Sequence, residues 1–274
     1  NSLFESLWNK KHIERIECRL LEKADVGTRG AFYDQVGALS DVVQNHLLQM
    51  LAMVVMDEPK VATAKAVRKA RGEALEALLP AHSKHLSDTH GAQFARGQYE
   101  GYLSTTGVSP LSTTETFAQV IMHSTSGRFK QVPLILLAGK GLAESVVDIK
   151  IYFKTASQKF CVIDESGESY CQNVLTFRIQ PDEGISTVFW VKRPGFKSDV
   201  LPKKLAFNYR DDASHPIRDA YERIYVDAMH GDQTRFVSIE EIVASWQCIE
   251  KIRVVLSKLP LTIYQKGSRP EEIG

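Results

Sequence analysis

The chain has 274 residues, 43% of them hydrophobic and 24% charged, with a formal net charge of +1. That size and balance fit one large globular domain or two small ones. They exclude a broadly basic nucleic-acid footprint, and no apolar run approaches the ~20 residues that span a bilayer. The N-terminus has no signal-peptide layout. Cys18, Cys161, Cys171 and Cys248 are scattered, without a Cys-x-x-Cys. Reduced, buried thiols are therefore expected, not a disulfide framework or a zinc site.

Residues 13 to 21 alternate in part, through Ile16, Cys18 and Leu20, and predict a strand. Residues 38 to 56 predict a helix, with Val43, Leu47, Leu51 and Val54 at helical spacing. Asp41, Asn45 and His46 interrupt that pattern where Leu or Ala would pack better. Residues 61 to 79, "VATAKAVRKARGEALEALL", predict a second helix with its basic residues on a solvated face. After residue 110 the character changes: "TFAQVIMH", "VPLILLA", "VVDIKIYFK", "VLTFRIQ" and "ISTVFWVKR" follow one another with short connections. Val147, Ile149, Ile151 and Phe153 alternate with Asp148, Lys150, Tyr152 and Lys154. Leu175, Phe177 and Ile179 alternate with Thr176, Arg178 and Gln180. Such strands have one buried and one wetter face, which favours an antiparallel sheet. Helices at about 217 to 229 and at 239 to 257 close the chain, the second opened by a capping box of Ser238 and Glu241. The order predicts an α+β fold: a broad, mainly antiparallel sheet flanked by helices, in one domain over residues 1–274.

Three places carry candidate chemistry. Gly139-Lys140-Gly141 follows an apolar strand, but a phosphate loop needs Gly where Ile135 stands and Ser or Thr where Gly141 stands. No Gly-x-Gly-x-x-Gly follows a strand either. Lys140 can still hold an anion as a point charge, although the residues alone favour a solvated turn lysine. His82, His85 and His90 have the residue type for a metal. Their polar, Cys-free surroundings read as a solvated linker, so no metal site is expected. Imidazoles take up protons near neutral pH, so His46 has the residue type for a general base; Asp41 suits a substrate hydroxyl. On a regular helix, five positions of about 100° put the two roughly 140° apart. They converge on one ligand only if Asp41 lies at the helix start. Periodicity alone makes His46 a hydrogen-bonded core histidine.

The stretch "RGAFYDQVGALSDVVQNHLLQMLAMVVMDEP" closely resembles the segment of glucose-6-phosphate dehydrogenases that carries the catalytic histidine. "LFESLWNKKHI", "GQYEGY", "STTETFA", "VPLILLAGKGL", "IQPDEGI", "KRPG", "DAYERIYVDAMHGDQTRFV" and "YQKGS" resemble that family's other landmarks, in the right order and over nearly the whole chain. The resemblance implies oxidation of glucose 6-phosphate at C1 to 6-phosphogluconolactone, with NADP or NAD accepting the hydride. It implies an N-terminal Rossmann domain for the coenzyme and a C-terminal α+β domain for much of the sugar site and the dimer interface. This chain resembles the second domain alone.

Carried over residue by residue, the resemblance makes His46 the general base and Asp41 and Glu22 the carboxylates that hold sugar hydroxyls. It makes Lys140 a substrate-site lysine, reversing the solvated-turn expectation, and places Gln180 near the sugar. It further implies NADP bound mainly by the N-terminal domain, a homodimer or homotetramer that pairs through the outer sheet face of residues 147–154 and 175–180, and a cytoplasmic enzyme without nucleic-acid or membrane partners. Ser40 and Ser145 depart from the family, standing where basic residues are usual. The Gly-rich coenzyme loop and the Arg-Ile-Asp-His-Tyr-Leu-Gly-Lys stretch are absent. In the family that stretch lies just upstream of the point where this chain begins, so truncation is the favoured expectation, and the chain alone is expected not to reduce NADP. The alternative to truncation is a free-standing domain, and the alternative to the enzyme is a non-catalytic relative for sugar-phosphate binding or assembly. Retention of Glu22, Asp41, His46, Lys140 and Gln180 favours the enzyme.

Overall fold

A computed structural model describes residues 2–81, 93–155, 162–163, 169–196, 200–211 and 220–274. The chain opens with a short helix, α1 (Ser2–Glu5), and strand β1 (Ile13–Leu21). Helix α2 (Gly30–Ala38) runs into a π-wound segment (Leu39–Leu47) and then α3 (Leu48–Val55). After α4 (Ala64–Glu76) come β2 (Leu78–Pro80), β3 (Ala95–Tyr99), β4 (Phe117–Ser124), β5 (Leu134–Gly139) and β6 (Val146–Phe153). A small ribbon, β7 (Val162–Ile163) with β8 (Ser169–Tyr170), precedes β9 (Val174–Gln180), β10 (Gly184–Lys192) and β11 (Val200–Asn208). Helices α5 (Ala220–His230) and α6 (Ile239–Leu256) and strand β12 (Thr262–Tyr264) complete the described elements.

Among the described residues, ten strands make one sheet in the order β11-β10-β9-β6-β1-β5-β4-β3-β12, with β2 beside β4. Neighbours are antiparallel except β1 with β5 and β3 with β12. The α+β expectation therefore holds. The larger core lies between one sheet face and a helical layer, and a smaller cluster with Tyr33, Tyr99, Phe117 and Leu137 is separate from it. Ile16, Val43, Leu47, Leu51, Leu136, Ile151, Ile249 and Ile252 are all fully buried in the larger core. Each such side chain contributes about 1.5–3 kcal/mol by leaving water. The helix predicted at 61 to 79 is shorter than expected. Thr63 caps it by accepting the Ala66 N–H at 3.3 Å, and its last residues leave to form β2.

Several expectations change once neighbours are in place. The basic face of α4 is not wholly solvated. Arg71 is buried, its Nε 2.6 Å from Glu241, and it also donates to Thr234 O and Phe236 O. Asp148 lies on the sheet face expected to be wetter, yet it is fully buried. Arg19, on the neighbouring strand, grips both its oxygens at 2.8 and 2.7 Å, the bidentate geometry that lets a carboxylate leave water. Residues 200 to 208 carry Pro202, Lys203 and Lys204 and offer no strand pattern, yet they form β11. It is an edge strand, where proline and lysine are tolerated because one side of the ladder needs no partner. Cys18 and Cys248 are free and buried as expected, but Cys171 is disulfide-bonded, which corrects the all-thiol expectation. His82, His85 and His90 lie outside the described residues.

Candidate functional site

The site is built where two parallel strands end together. Leu21 of β1 pairs with Gly139 of β5, so Glu22 and Lys140 leave the sheet side by side. The Glu22 N–H donates to Gly139 O and the Leu142 N–H to Glu22 O, both at 2.9 Å. These bonds carry the ladder past the strand ends and fix both side chains. Lys140 Nζ is ion-paired to Glu22 Oε2 and lies 5.7 Å from the centre of the Tyr33 ring. At 8% exposure, Lys140 is no solvated turn lysine. Gly141, at φ +66°, then turns the chain so that Leu142 bridges to Ser268. No helix starts there, so the Gly-Lys-Gly turn has no phosphate-loop geometry. Gln180 ends β9, exposed, and pairs with Val147 at the start of β6, which brings it to the same end of the sheet.

The wall facing these strand ends is the π-wound segment. It packs on β1, β5 and α6, with Val43 and Leu47 buried in the core and Gln44 donating to Ser245 Oγ at 2.8 Å. Its winding shows in the Leu48 N–H, which bonds Val43 O five residues back. A regular helix separates residues five apart by roughly 140°; an i→i+5 winding brings them roughly one turn apart on the same side. Asp41 and His46 are such a pair, and both face the cleft. His46 is exposed on the cleft wall, which removes the core-histidine expectation.

A cleft of about 620 Å³ opens over this end of the sheet. Glu22, Asp41, His46, Lys140 and Gln180 all line it, with Leu20, Val42 and Val147 as apolar surface. Its size falls in the range of small-molecule sites. The structure thus brings all five candidate residues together. It also adds a cation that the sequence reading missed. Arg29 lines the same cleft, with its guanidinium 3.7 Å from Asp41 Oδ1 and 5.0 Å from the Phe32 ring centre. Its only local signal is a place in the glycine-flanked "GTRG", where a solvated residue looks identical. Tyr33 is buried behind the cleft and is not part of its lining. Its hydroxyl is pushed well above the usual range by burial first, then by the charges of Glu115 and Asp41. Ser145 faces the cleft but accepts the Lys23 N–H at 3.0 Å, and the buried Ser40 accepts from Arg253 at 3.0 Å. Both serines are tied into the scaffold. No group of three or more metal-ligating side chains is found among the described residues. Among the described residues no strand turns through glycines into a helix N-terminus of the kind that takes a dinucleotide's diphosphate.

Residues 1–273 match the family described as glucose-6-phosphate dehydrogenase, C-terminal domain. The glucose-6-phosphate 1-dehydrogenase of Aggregatibacter actinomycetemcomitans is 36% identical over 258 residues, covering 92% of this chain and 51% of the relative. That of Treponema pallidum is 34% identical over 279 residues, covering 98% of this chain and 54% of the relative. A solved glucose-6-phosphate dehydrogenase in complex with its substrate glucose-6-phosphate superimposes with a TM-score of 0.83 at 28% identity, over 98% of this chain and 55% of that one. The Mycobacterium avium glucose-6-phosphate 1-dehydrogenase gives a TM-score of 0.78 at 29% identity, over 98% and 55%. The chain spans about half the length of these relatives. It belongs to the family of glucose-6-phosphate dehydrogenase C-terminal domains.

Proposed function

We propose that this chain is the sugar-binding and proton-removing part of a glucose-6-phosphate dehydrogenase, which oxidises glucose 6-phosphate to 6-phosphogluconolactone with NADP. The observation that carries the proposal is the convergence of Glu22, Asp41, His46, Lys140 and Gln180 on one cleft. Ionised carboxylates only accept hydrogen bonds, so Glu22 and Asp41 would orient sugar hydroxyls. Lys140 and Arg29 supply positive charge against the phosphorylated sugar. His46 would take the proton of the C1 hydroxyl as C1 is oxidised, a role worth about 10² to 10⁴ in rate. The coenzyme is assigned mainly to a further, Rossmann-type domain, a reading supported by the lack of a Gly-rich strand-to-helix turn among the described residues.

The proposal includes a cytoplasmic enzyme that pairs with a second copy of itself and has no nucleic-acid partner. No helix of the described residues is long and apolar enough to cross a membrane. The apolar face that packs the core at Leu175, Phe177 and Ile185 continues outward across Phe189, Val191, Leu205 and Phe207. These four are 40–62% exposed, and the helical layer leaves them bare. Self-association is assigned to this surface and not to the charged outer face of β6 and β9, where Asp148 and Arg178 already pair with neighbours.

The test is an NADP absorbance assay with glucose 6-phosphate, run on the 274-residue chain and on the same chain joined to a relative's coenzyme domain. The short chain should be silent and the joined chain active. A silent joined chain that still binds the sugar phosphate would favour the non-catalytic relative, a reading supported by serine at positions 40 and 145.

A further inference from the structure

The π winding that puts Asp41 and His46 on one side has no side-chain cap of its own: Ala38 precedes it and offers none. A helix start leaves backbone N–H groups without intrahelical partners, and these need acceptors from elsewhere. Here they come from one residue far along the chain. Glu115 O accepts the Ala38 N–H at 3.0 Å, and Glu115 Oε1 accepts the Leu39 N–H at 3.0 Å. The approach depends on Gly37, at φ +64°, where a Cβ would lie 2.4 Å from Glu115 Oε1. The loop that delivers Glu115 is itself held. Asp34 accepts from the Tyr102 hydroxyl at 3.0 Å, the Ser109 N–H at 3.1 Å and the Ser112 hydroxyl, while the Thr114 hydroxyl donates to Asp34 O at 2.7 Å.

We propose that Glu115 is a positioning residue for the Asp41–His46 pair, holding the start of the segment so that it winds i→i+5 and not i→i+4. Without that anchor the segment can relax to the regular winding, and the two side chains then turn roughly 140° apart. The hydrogen bonding, not the charge, carries this role. Burial pushes the Glu115 carboxyl up, opposed by the Leu39 N–H and by the charges of Arg253 on α6 and Arg96 on β3. A neutral amide that keeps the acceptor oxygen should therefore serve nearly as well.

The winding is tested directly on the 274-residue chain; only the binding measurement rests on the sugar-site reading. Crystal structures of Glu115→Ala and Glu115→Gln read which carbonyl accepts the Leu48 N–H. In Glu115→Ala it should move from Val43 O to Gln44 O, and an NMR titration with millimolar glucose 6-phosphate should show affinity at least tenfold weaker. Glu115→Gln should keep both the Val43 bond and most of the affinity. Gly37→Ala, which drives Glu115 away from the other side, should reproduce the alanine result and serves if Glu115→Ala does not fold. A π winding that persists in Glu115→Ala or Gly37→Ala overturns the proposal. A winding that switches as described, in a wild-type chain that never binds the sugar phosphate, leaves the positioning role standing and removes the sugar-site reading instead.

Discussion

At the scale of single residues, exposure separates the groups that pack from those that can react. Val43 and Leu47 are fully buried while His46, between them in sequence, is exposed on the cleft wall. A histidine that packs nothing should be dispensable to the fold. In the chain joined to a relative's coenzyme domain, His46→Asn should cut turnover by roughly 10² to 10⁴ with little change in melting temperature. Loss of stability with specific activity retained would assign His46 to packing. Lys140 shows the reverse case. Its neighbours in sequence, Gly139 and Gly141, suggest a wet turn. Only the parallel pairing of β1 with β5 buries it against Glu22 and Tyr33. Lys140 is the buried member of the pair and Glu22 is only half-buried, so removing Glu22 leaves a buried ammonium without its compensating charge.

At the scale of elements, the loop before β4 is fastened to α2 through Asp34, and its attachment depends on pH. Partial burial pushes the Asp34 carboxyl up, but hydrogen bonds from Ser112, Ser109 and Tyr102 outweigh it and hold the group below its usual range. A carboxyl with a depressed folded-state pKa adds stability above its unfolded value, about 3.9. That stability is lost as pH falls through the folded-state value. Urea midpoints should therefore drop between pH 4 and lower values more steeply in the wild type than in Asp34→Asn; equal slopes would mean that Asp34 does not tie the loop. The start of α6 gives a second test. Ser238 Oγ accepts the Glu241 N–H at 3.2 Å and Glu241 Oε2 accepts the Ser238 N–H at 2.8 Å, the reciprocal capping box read in the sequence. Ser238→Ala should cost about 1 kcal/mol and lower the melting temperature by about 2–4 °C. An unchanged calorimetric transition would show that the Ser238 cap does not hold the helix start.

At the scale of the whole molecule, the sheet is wider than its cover. The helical layer protects β1, β4, β5 and β6, while Phe189, Val191, Leu205 and Phe207 continue the same apolar face into solvent. Lys203 shares this face opposite Phe189, yet the apolar surface around it is the kind that interaction sites use, and two-fold pairing is the commonest closed arrangement of identical chains. Leu205→Glu with Phe207→Lys should shift sedimentation from dimer to monomer at the same loading, without unfolding the chain. A monomeric wild type at high concentration would remove the self-association claim.

The elements that the sequence determined by itself are those whose signal is local. Ile16, Cys18 and Leu20 marked β1, the alternation of residues 147 to 154 marked β6, and Ser238 with Glu241 marked the start of α6, because periodicity and capping depend on near neighbours. The candidate residues Glu22, Asp41, His46, Lys140 and Gln180 were legible through resemblance, as a set without geometry. Tertiary structure decided the rest. It set the burial of Asp148, which needs Arg19 from another strand, and the strand at 200 to 208, whose Pro202 and two lysines suit only an edge. It added Arg29 to the cleft. It also set the winding between Leu39 and Leu47, since a 3.6-residue period, read alone, places Asp41 and His46 on different faces. That period yields because the Ala38 and Leu39 N–H groups find their acceptors on Glu115, 76 residues beyond Leu39, and no local pattern encodes a partner so distant along the chain.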